Sequence, residues 1–252
     1  MHADSTISCS FTAKVSGPGT SFRLDVDFST TSRRIAFFGP SGSGKSLTLM
    51  ALAGLLRPKK GRIEFSGKTF FNALQKINIP AGKRKIGFLF QDYALFPHLT
   101  VRSNVGFGLR PAVGPLSSQS KQRVNELLEL CGLTHLADLR PHQISGGQRQ
   151  RTALARALAP SPELLLLDEP FTALDQPLRQ RMRQEVSHIL ERFDIPMVLV
   201  SHDQEDIDHF AQTLIAFAAG RVLDVVDYAR QRATLSAQEI LNPLYELAQP
   251  KA

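Results

Sequence analysis

The sequence predicts an α/β fold built on a mostly parallel sheet, with an antiparallel β-subdomain at the N-terminus and an inserted α-helical subdomain. Three observations predict it. Arg34-Ile35-Ala36-Phe37-Phe38 and Leu164-Leu165-Leu166-Leu167 are short, nearly unbroken apolar runs, as expected of strands buried on both faces. Each run ends in residues fit for a site, Gly39 to Ser46 after the first and Asp168-Glu169 after the second. Alternating apolar residues open the chain, whereas residues 92–159 carry helical patterning broken by prolines and glycines.

In chain order, Ile7, Cys9, Phe11, Ala13 and Val15 alternate with polar residues, as do Phe22, Leu24, Val26 and Phe28. They read as two half-buried antiparallel strands joined at Gly17-Pro18-Gly19, with Phe22 on the core face. The strand at 34–38 follows, then a helix ending near Leu56 with Pro58 beyond it. Residues 61–65 and 84–90 read as strands, the second delivering Gln91 at its end. Residues 92–118, with Pro97, Pro111 and Pro115, read as loops and short helical pieces. Lys121 to Cys131 is an amphipathic helix with Val124, Leu127, Leu128 and Cys131 on one face. A further helix runs from Ser145 to about Leu158. After the strand at 164–167 come a helix over 177–193, a strand at 197–200, a hairpin about Gly220 and a terminal helix over 236–248. The expected organisation is one domain, with a core of 1–91 and 160–230, a helical subdomain of 92–159 and a tail of 231–252.

The length of 252 residues and a hydrophobic fraction of 42% suit a globular protein with a sizeable core. No apolar run approaches the roughly 18 residues of a membrane span. Met1 to Ser5 lack the basic-then-apolar pattern of a signal peptide. Cys9 and Cys131 are the only cysteines and fit a strand and a helix end, so a reducing compartment is expected. The net charge of +7 admits an anionic partner, but the basic residues are scattered along the chain.

Gly39-Pro40-Ser41-Gly42-Ser43-Gly44-Lys45-Ser46 is a complete phosphate-binding loop between a strand and a helix. Its glycines let backbone N–H groups converge on an anion, and the helix dipole points at the same place. Lys45 is expected at the β- and γ-phosphates and Ser46 on Mg²⁺. At the end of the Leu164–Leu167 run, Asp168 is a second Mg²⁺ ligand, and Glu169, one residue on, can polarise an attacking water. The core is therefore that of a P-loop NTPase, with a nucleoside triphosphate as substrate and Mg²⁺ beside it.

Ile144-Ser145-Gly146-Gly147-Gln148-Arg149-Gln150-Arg151 resembles the signature of the ATP-binding-cassette ATPases, with Ile144 where leucine is usual. The resemblance covers nearly the whole chain, because the other motifs stand in family order. It implies that Ser145, Gly146, Gly147 and Gln148 meet ATP held by a second ATPase subunit of a homodimer. It also implies that Gln91 senses Mg²⁺ and the attacking water, that Ala173-Leu174-Asp175 crosses the dimer interface, and that His202 contacts the γ-phosphate. Taken singly, Gln91, Asp175 and His202 would pass for ordinary surface residues. The family stacks an aromatic side chain on adenine, and residues 14–20 offer no clear candidate.

The stretch Phe90 to Val105 is similar to that of bacterial importers for oxyanions, polyamines and sugars. The likeness implies docking of a transmembrane permease near 92–105, with Tyr93, Leu95, Phe96 and Leu99 as apolar surface. Flanking sequence is most like molybdate-import ATPases, which commonly carry a C-terminal regulatory domain; the chain ends at Ala252, too soon for one. The resemblance implies a peripheral protein at the cytoplasmic face of the membrane, working indirectly with a periplasmic or surface solute-binding protein. Polyamine, iron and sugar import stand as alternatives. No nucleic acid partner is expected, since cassette ATPases of that kind carry insertions this sequence lacks.

Overall fold

The computed structural model describes residues 6–17, 20–111, 113–172 and 174–248. The turn at Pro18-Gly19, the N-terminal five residues and Ala173 lie outside the described residues. The chain divides into two compact units, Met1–Arg84 with Pro196–Ala252, and Lys85–Ile195.

The first unit begins with β1 (Ile7–Gly17), β2 (Thr20–Thr30) and β3 (Arg34–Phe38), followed by α1 (Lys45–Ala53), β4 (Lys60–Phe65), β5 (Lys68–Asn72) and β6 (Ile77–Asn78). The second holds β7 (Ile86–Leu89), α2 (Val101–Val105), α3 (Ser118–Leu130), α4 (Gly146–Leu158), β8 (Leu164–Asp168) and α5 (Gln176–Phe193). The chain returns to the first unit with β9 (Met197–Val200), α6 (Gln204–Phe210), β10 (Thr213–Ala218), β11 (Arg221–Asp227), α7 (Tyr228–Gln231) and α8 (Ala237–Ala248).

In the first unit the strands lie in the order β6-β5-β4-β1-β2-β11-β10-β3-β9. The pairs among β6, β5, β4, β1 and β2 are antiparallel, which is the expected β-subdomain. The pairs β10/β3 and β3/β9 are parallel. Parallel strands are covered on both faces, and Ile35 to Phe38 and Met197 to Val200 are all buried. Ala36 and Phe38 turn towards Ile207, Tyr228, Ile240, Leu241 and Leu244 of α6, α7 and α8. Phe37 turns the other way, its ring 5.7 Å from Phe28 and 4.9 Å from Phe217.

In the second unit β7 and β8 pair in parallel, with Leu89 opposite Leu167. Leu164 to Leu167 are wholly buried. Helix α4 lies close on this pair: a Cβ built at Gly87 would stand 2.6 Å from the Ala157 carbonyl oxygen and 2.9 Å from Leu165. Only glycine admits that approach, which seats the C-terminal end of α4 on the pair. Met182, Val186, Ile189 and Leu190 form the buried stripe of α5.

Three expectations change. Helix α1 stops at Ala53 rather than Leu56, because Gly54 takes a left-handed C-cap at φ 82° and its N–H returns to Ala51. The strands β5 and β6 and the helix α6 were not foreseen. Phe22 is half-exposed rather than in the core.

Candidate functional site

The phosphate loop is shaped by what lies behind it. Gly39 follows β3 at φ 139°, and a Cβ there would stand 2.2 Å from the Phe217 carbonyl oxygen of β10. Gly44, at φ 104°, is the N-cap of α1, and a Cβ there would stand 2.6 Å from Leu24 and 3.3 Å from the Phe22 ring. Both positions demand glycine on conformation and on space. The loop is tied to the β10–β11 turn by Gly220 N–H donating to the Ser43 oxygen at 2.9 Å. The N-cap Gly44 brings no side chain to the start of α1, so the cap residue itself does not close that end against an anion.

Lys45 is 6% exposed, and its Nζ donates to the carbonyl oxygens of Gly39 (2.8 Å) and Pro40 (2.7 Å) and to Ser43 Oγ (3.3 Å). The ammonium is thus folded over the loop, on carbonyls that an arriving phosphate could relieve of it. Thr48 Oγ1 donates to the Gly44 oxygen at 2.9 Å and closes the first turn. Ser41 and Gly42 are exposed at the loop's rim, and Ser46 is half-buried in the first turn of α1.

Strand register brings His202 to the same sheet edge. Phe37 pairs with Val200, so the residues after β3 and after β9 emerge side by side. Ser201 Oγ donates to Asp206 at 2.7 Å and accepts the Asp203 N–H at 3.0 Å, which shapes the turn carrying exposed His202.

In the second unit the pairing of Leu89 with Leu167 does the same for Gln91, Asp168 and Glu169. Asp168 is buried, whereas Glu169 is half-buried at φ 45°, a left-handed conformation that strains a residue with a Cβ. Gln91 Nε2 and Thr172 Oγ1 each donate to Glu169 Oε2 at 3.4 Å. These long bonds orient the carboxylate while leaving it near solvent.

The signature forms a self-contained helix start. Ser145 Oγ accepts the Gln148 N–H at 3.3 Å, and Gln148 Oε1 accepts the Ser145 N–H at 2.8 Å, a reciprocal capping box. A Cβ at Gly147 would stand 2.9 Å from Leu178 of α5. The start of α5 is in turn capped by Asp175, whose Oδ1 accepts the Leu178 N–H at 3.0 Å. The signature and Asp175 are therefore held against each other through Leu178.

One expectation fails here. Tyr93 is buried, 5% exposed, and cannot offer docking surface. It and Ala94 take left-handed backbone, φ 64° and 42°, and their carbonyl oxygens accept two hydrogen bonds from Arg156 at 2.7 Å each. Leu95, Phe96 and Leu99 stay partly exposed, with Phe96 stacked on Phe107 at 4.2 Å.

Two supporting residues escaped the sequence reading. Arg156 holds the turn after Gln91. Arg84 is fully buried and donates to the Ala51 (2.8 Å), Leu52 (2.7 Å) and Ile79 (2.8 Å) carbonyls, anchoring the C-terminal end of α1. Burial lowers its pKa to about 10, which leaves it cationic at neutral pH against the negative end of the helix dipole. Arg84 stands between Lys83 and Lys85, and nothing in the sequence sets it apart from them.

A family model described as ABC transporter matches residues 24–172. The molybdenum import ATP-binding protein of Methylococcus capsulatus is 42% identical over 203 residues, covering 80% of this chain and 55% of the relative. An Fe(3+) ions import ATP-binding protein of Haemophilus influenzae is 41% identical over 202 residues, 80% of this chain and 56% of the relative. A probable sulfate/thiosulfate import ATP-binding protein of Chlorella vulgaris is 45% identical over 192 residues, 76% of this chain and 78% of the relative. The cassette MJ0796, solved as a dimer in a post-hydrolysis state with ADP and Pi, aligns at a TM-score of 0.72 and 28% identity, covering 88% of this chain and 98% of that one. The chain spans about half the length of the first two relatives. The matched segment runs from β2 through the phosphate loop and the signature to the turn after Glu169, and on that footing the chain belongs to the ABC transporter family.

Proposed function

We propose that this chain is the ATP-binding and ATP-hydrolysing subunit of an importer, coupling hydrolysis to solute uptake across a membrane. The observation that carries the reading is Lys45, buried and turned onto the carbonyls of a loop whose helix start has no side-chain cap. Gly39 to Ser46 bind the phosphates through backbone N–H groups, with Lys45 as the cation. Ser46 and Asp168 are hard oxygen donors, the kind Mg²⁺ takes when phosphates and waters complete its shell, and Gln91 is the third residue assigned to it. When bound, the ion neutralises charge on the β- and γ-oxygens. Glu169, steadied by Gln91 and Thr172, accepts a proton from the attacking water, and His202 contacts the γ-phosphate.

Ser145, Gly146, Gly147 and Gln148 serve the nucleotide of a second copy, with Asp175 at the interface. The dimeric state of the solved cassette supports this reading. We place the permease contact at 92–105, on Leu95, Phe96 and Leu99, and the protein at the cytoplasmic face of the membrane, with a solute-binding protein acting from the far side. Among the described residues no helix is long and apolar enough to cross a membrane. The solutes for which the relatives are named favour an inorganic ion here: an oxyanion such as molybdate, with iron as the second reading.

The test is Glu169→Gln. General-base assistance contributes a factor of about 10² to 10⁴ in rate. The variant is expected to bind ATP as the parent does, hydrolyse it that much more slowly, and accumulate as a dimer with Mg-ATP on size-exclusion chromatography. Undiminished hydrolysis with an ATP-independent elution profile would remove both the role of Glu169 and the shared site.

A further inference from the structure

Basic residues are spread along the sequence, yet the charge is not even. Residues 6–84 hold thirteen Lys and Arg against three Asp and Glu, more positive than the whole chain at +7. On the β-subdomain two open clefts meet at Lys59. One, of about 390 Å³, is lined by Arg57, Lys59 and Lys76. The other, of about 450 Å³, is lined by Lys14, Arg23, Lys59 and Lys60. Among the described residues no carboxylate lines either cleft. Among the described residues only Arg23 of these six has an acidic partner, Asp25 at 3.9 Å. The Lys59 N–H donates to the Thr12 oxygen of β1 at 2.8 Å, which fixes the backbone where the clefts join.

Beside this strip stands Leu74, 96% exposed at the turn between β5 and β6. The turn is a built one: Asn72 Oδ1 accepts the N–H groups of Leu74 (3.0 Å) and Gln75 (3.1 Å). Its neighbours Ala73 and Lys76 line the first cleft. Leu55, two residues before Arg57, is 52% exposed. A leucine held out in water adds nothing to folding, and unpaired cations on one face repel one another. Both features are relieved by one kind of surface, an anionic headgroup layer over an apolar interior.

We propose that this face of the β-subdomain rests on an anionic phospholipid surface, with Arg57, Lys59, Lys60 and Lys76 among the headgroups and Leu74 at the acyl boundary. A nucleic acid would meet the charge but not the leucine, and Phe71, the aromatic side chain that lines the clefts among the described residues, is buried and closed to base stacking. The contact uses none of the residues assigned to the nucleotide or to permease docking, so it gives the chain a hold on the membrane that needs neither ATP nor a permease.

The experiment is co-sedimentation of the purified chain with vesicles of phosphatidylcholine, alone or mixed with phosphatidylglycerol, at low and at high salt. Binding is expected only to the mixed vesicles, and to weaken with salt. Each cation near such a surface contributes about fivefold, so Arg57→Gln, Lys59→Gln and Lys76→Gln together are expected to weaken binding about 10²-fold. Leu74→Ser is expected to weaken it about tenfold. A second triple variant, Lys121→Gln, Arg181→Gln and Arg192→Gln, makes the same change in net charge at exposed positions of the other unit and is expected to keep most of the binding. Equal binding to neutral vesicles, or an equal loss in both triple variants, overturns the proposal. So does a labelled DNA duplex that binds more tightly than the vesicles at the same salt and loses its hold through the same three cations.

Discussion

Helices α1 and α4 both start in glycine-rich sequence, yet their N-termini are closed in opposite ways. At α1 the N-cap is Gly44, which brings no side-chain acceptor, and the first helical residue is the buried Lys45. At α4 the N-cap is exposed Ser145, and the reciprocal bonds with Gln148 satisfy the N–H groups of Ser145 and Gln148. A helix start leaves four N–H groups to be satisfied. The first helix has a cap residue with no side chain to offer them, which suits that end to an anion. The second completes two with its own side chains and leaves Gly146 and Gly147 to offer theirs. One end is shaped by its glycine cap to take a ligand. The other is a finished piece of structure that can add a contact without rearranging.

The largest test of that difference is Lys45→Ala. Removing one preorganised charged donor from developing oxyanion charge typically costs about 10² to 10³ in rate. ATP hydrolysis is expected to fall by that factor or more, with weaker binding of Mg-ATP. Hydrolysis within threefold of the parent would mean that the open end of α1 does not depend on its lysine, and the contrast with α4 would lose its functional half.

Next in size is Ser145→Arg, made in the Glu169→Gln background so that a dimer can accumulate. The substitution removes the cap and sets a bulky cation at the exposed start of α4. The ATP-dependent dimer is expected to weaken at least tenfold, about 1.4 kcal/mol, while binding of ATP to the monomer is unchanged. Size-exclusion chromatography against protein concentration reads the first, and nucleotide titration reads the second. A dimer that persists would place the partner's contact away from this helix start.

The same two helix starts show what a sequence can reveal. Gly39 to Ser46 and Ser145 to Gln148 are legible because each function needs a particular residue at a particular spacing. The strands that carry them are legible for the same reason: Leu164 to Leu167 lie buried on both faces and can be nothing but apolar. Tertiary fastening is not legible. Arg156 acts on carbonyl oxygens sixty-odd positions away in the chain, and Arg84 on those of a helix thirty-odd positions back. Any long donor in a basic stretch would look the same. Strand β5 was missed because Phe70 and Phe71 are both buried, which erases alternation, although Ser66 and Gly67, both at positive φ, form the tight turn that starts it. Helix α6, seven residues long, is too short for its period to stand out. Tyr93 misled because an aromatic in a loop suggests surface, and its left-handed backbone, which turns the chain back under Arg156, has no mark in the sequence.

The smallest effect, and the sharpest on the comparison, is Ser145→Ala. An alanine leaves the Gln148 N–H without its acceptor, while the Gln148 side chain can still accept from the backbone of residue 145. The site is exposed, so water replaces much of the lost bond, and the cost belongs at about 1 kcal/mol of stability, within the usual range for a lost N-cap. Ser145→Thr keeps an acceptor in place and is expected to retain most of that stability. Gln148→Ala breaks the reciprocal bond from the other side. Because the two side chains form one box, the double variant is expected to cost less than the two single losses added together. Urea unfolding of the parent and the four variants reads all of this, provided the slopes stay equal. If Ser145→Ala unfolds at the parent's midpoint, the box contributes nothing, the start of α4 is as open as that of α1, and Gly146 and Gly147 lose the fixed frame from which they were to reach a partner's nucleotide.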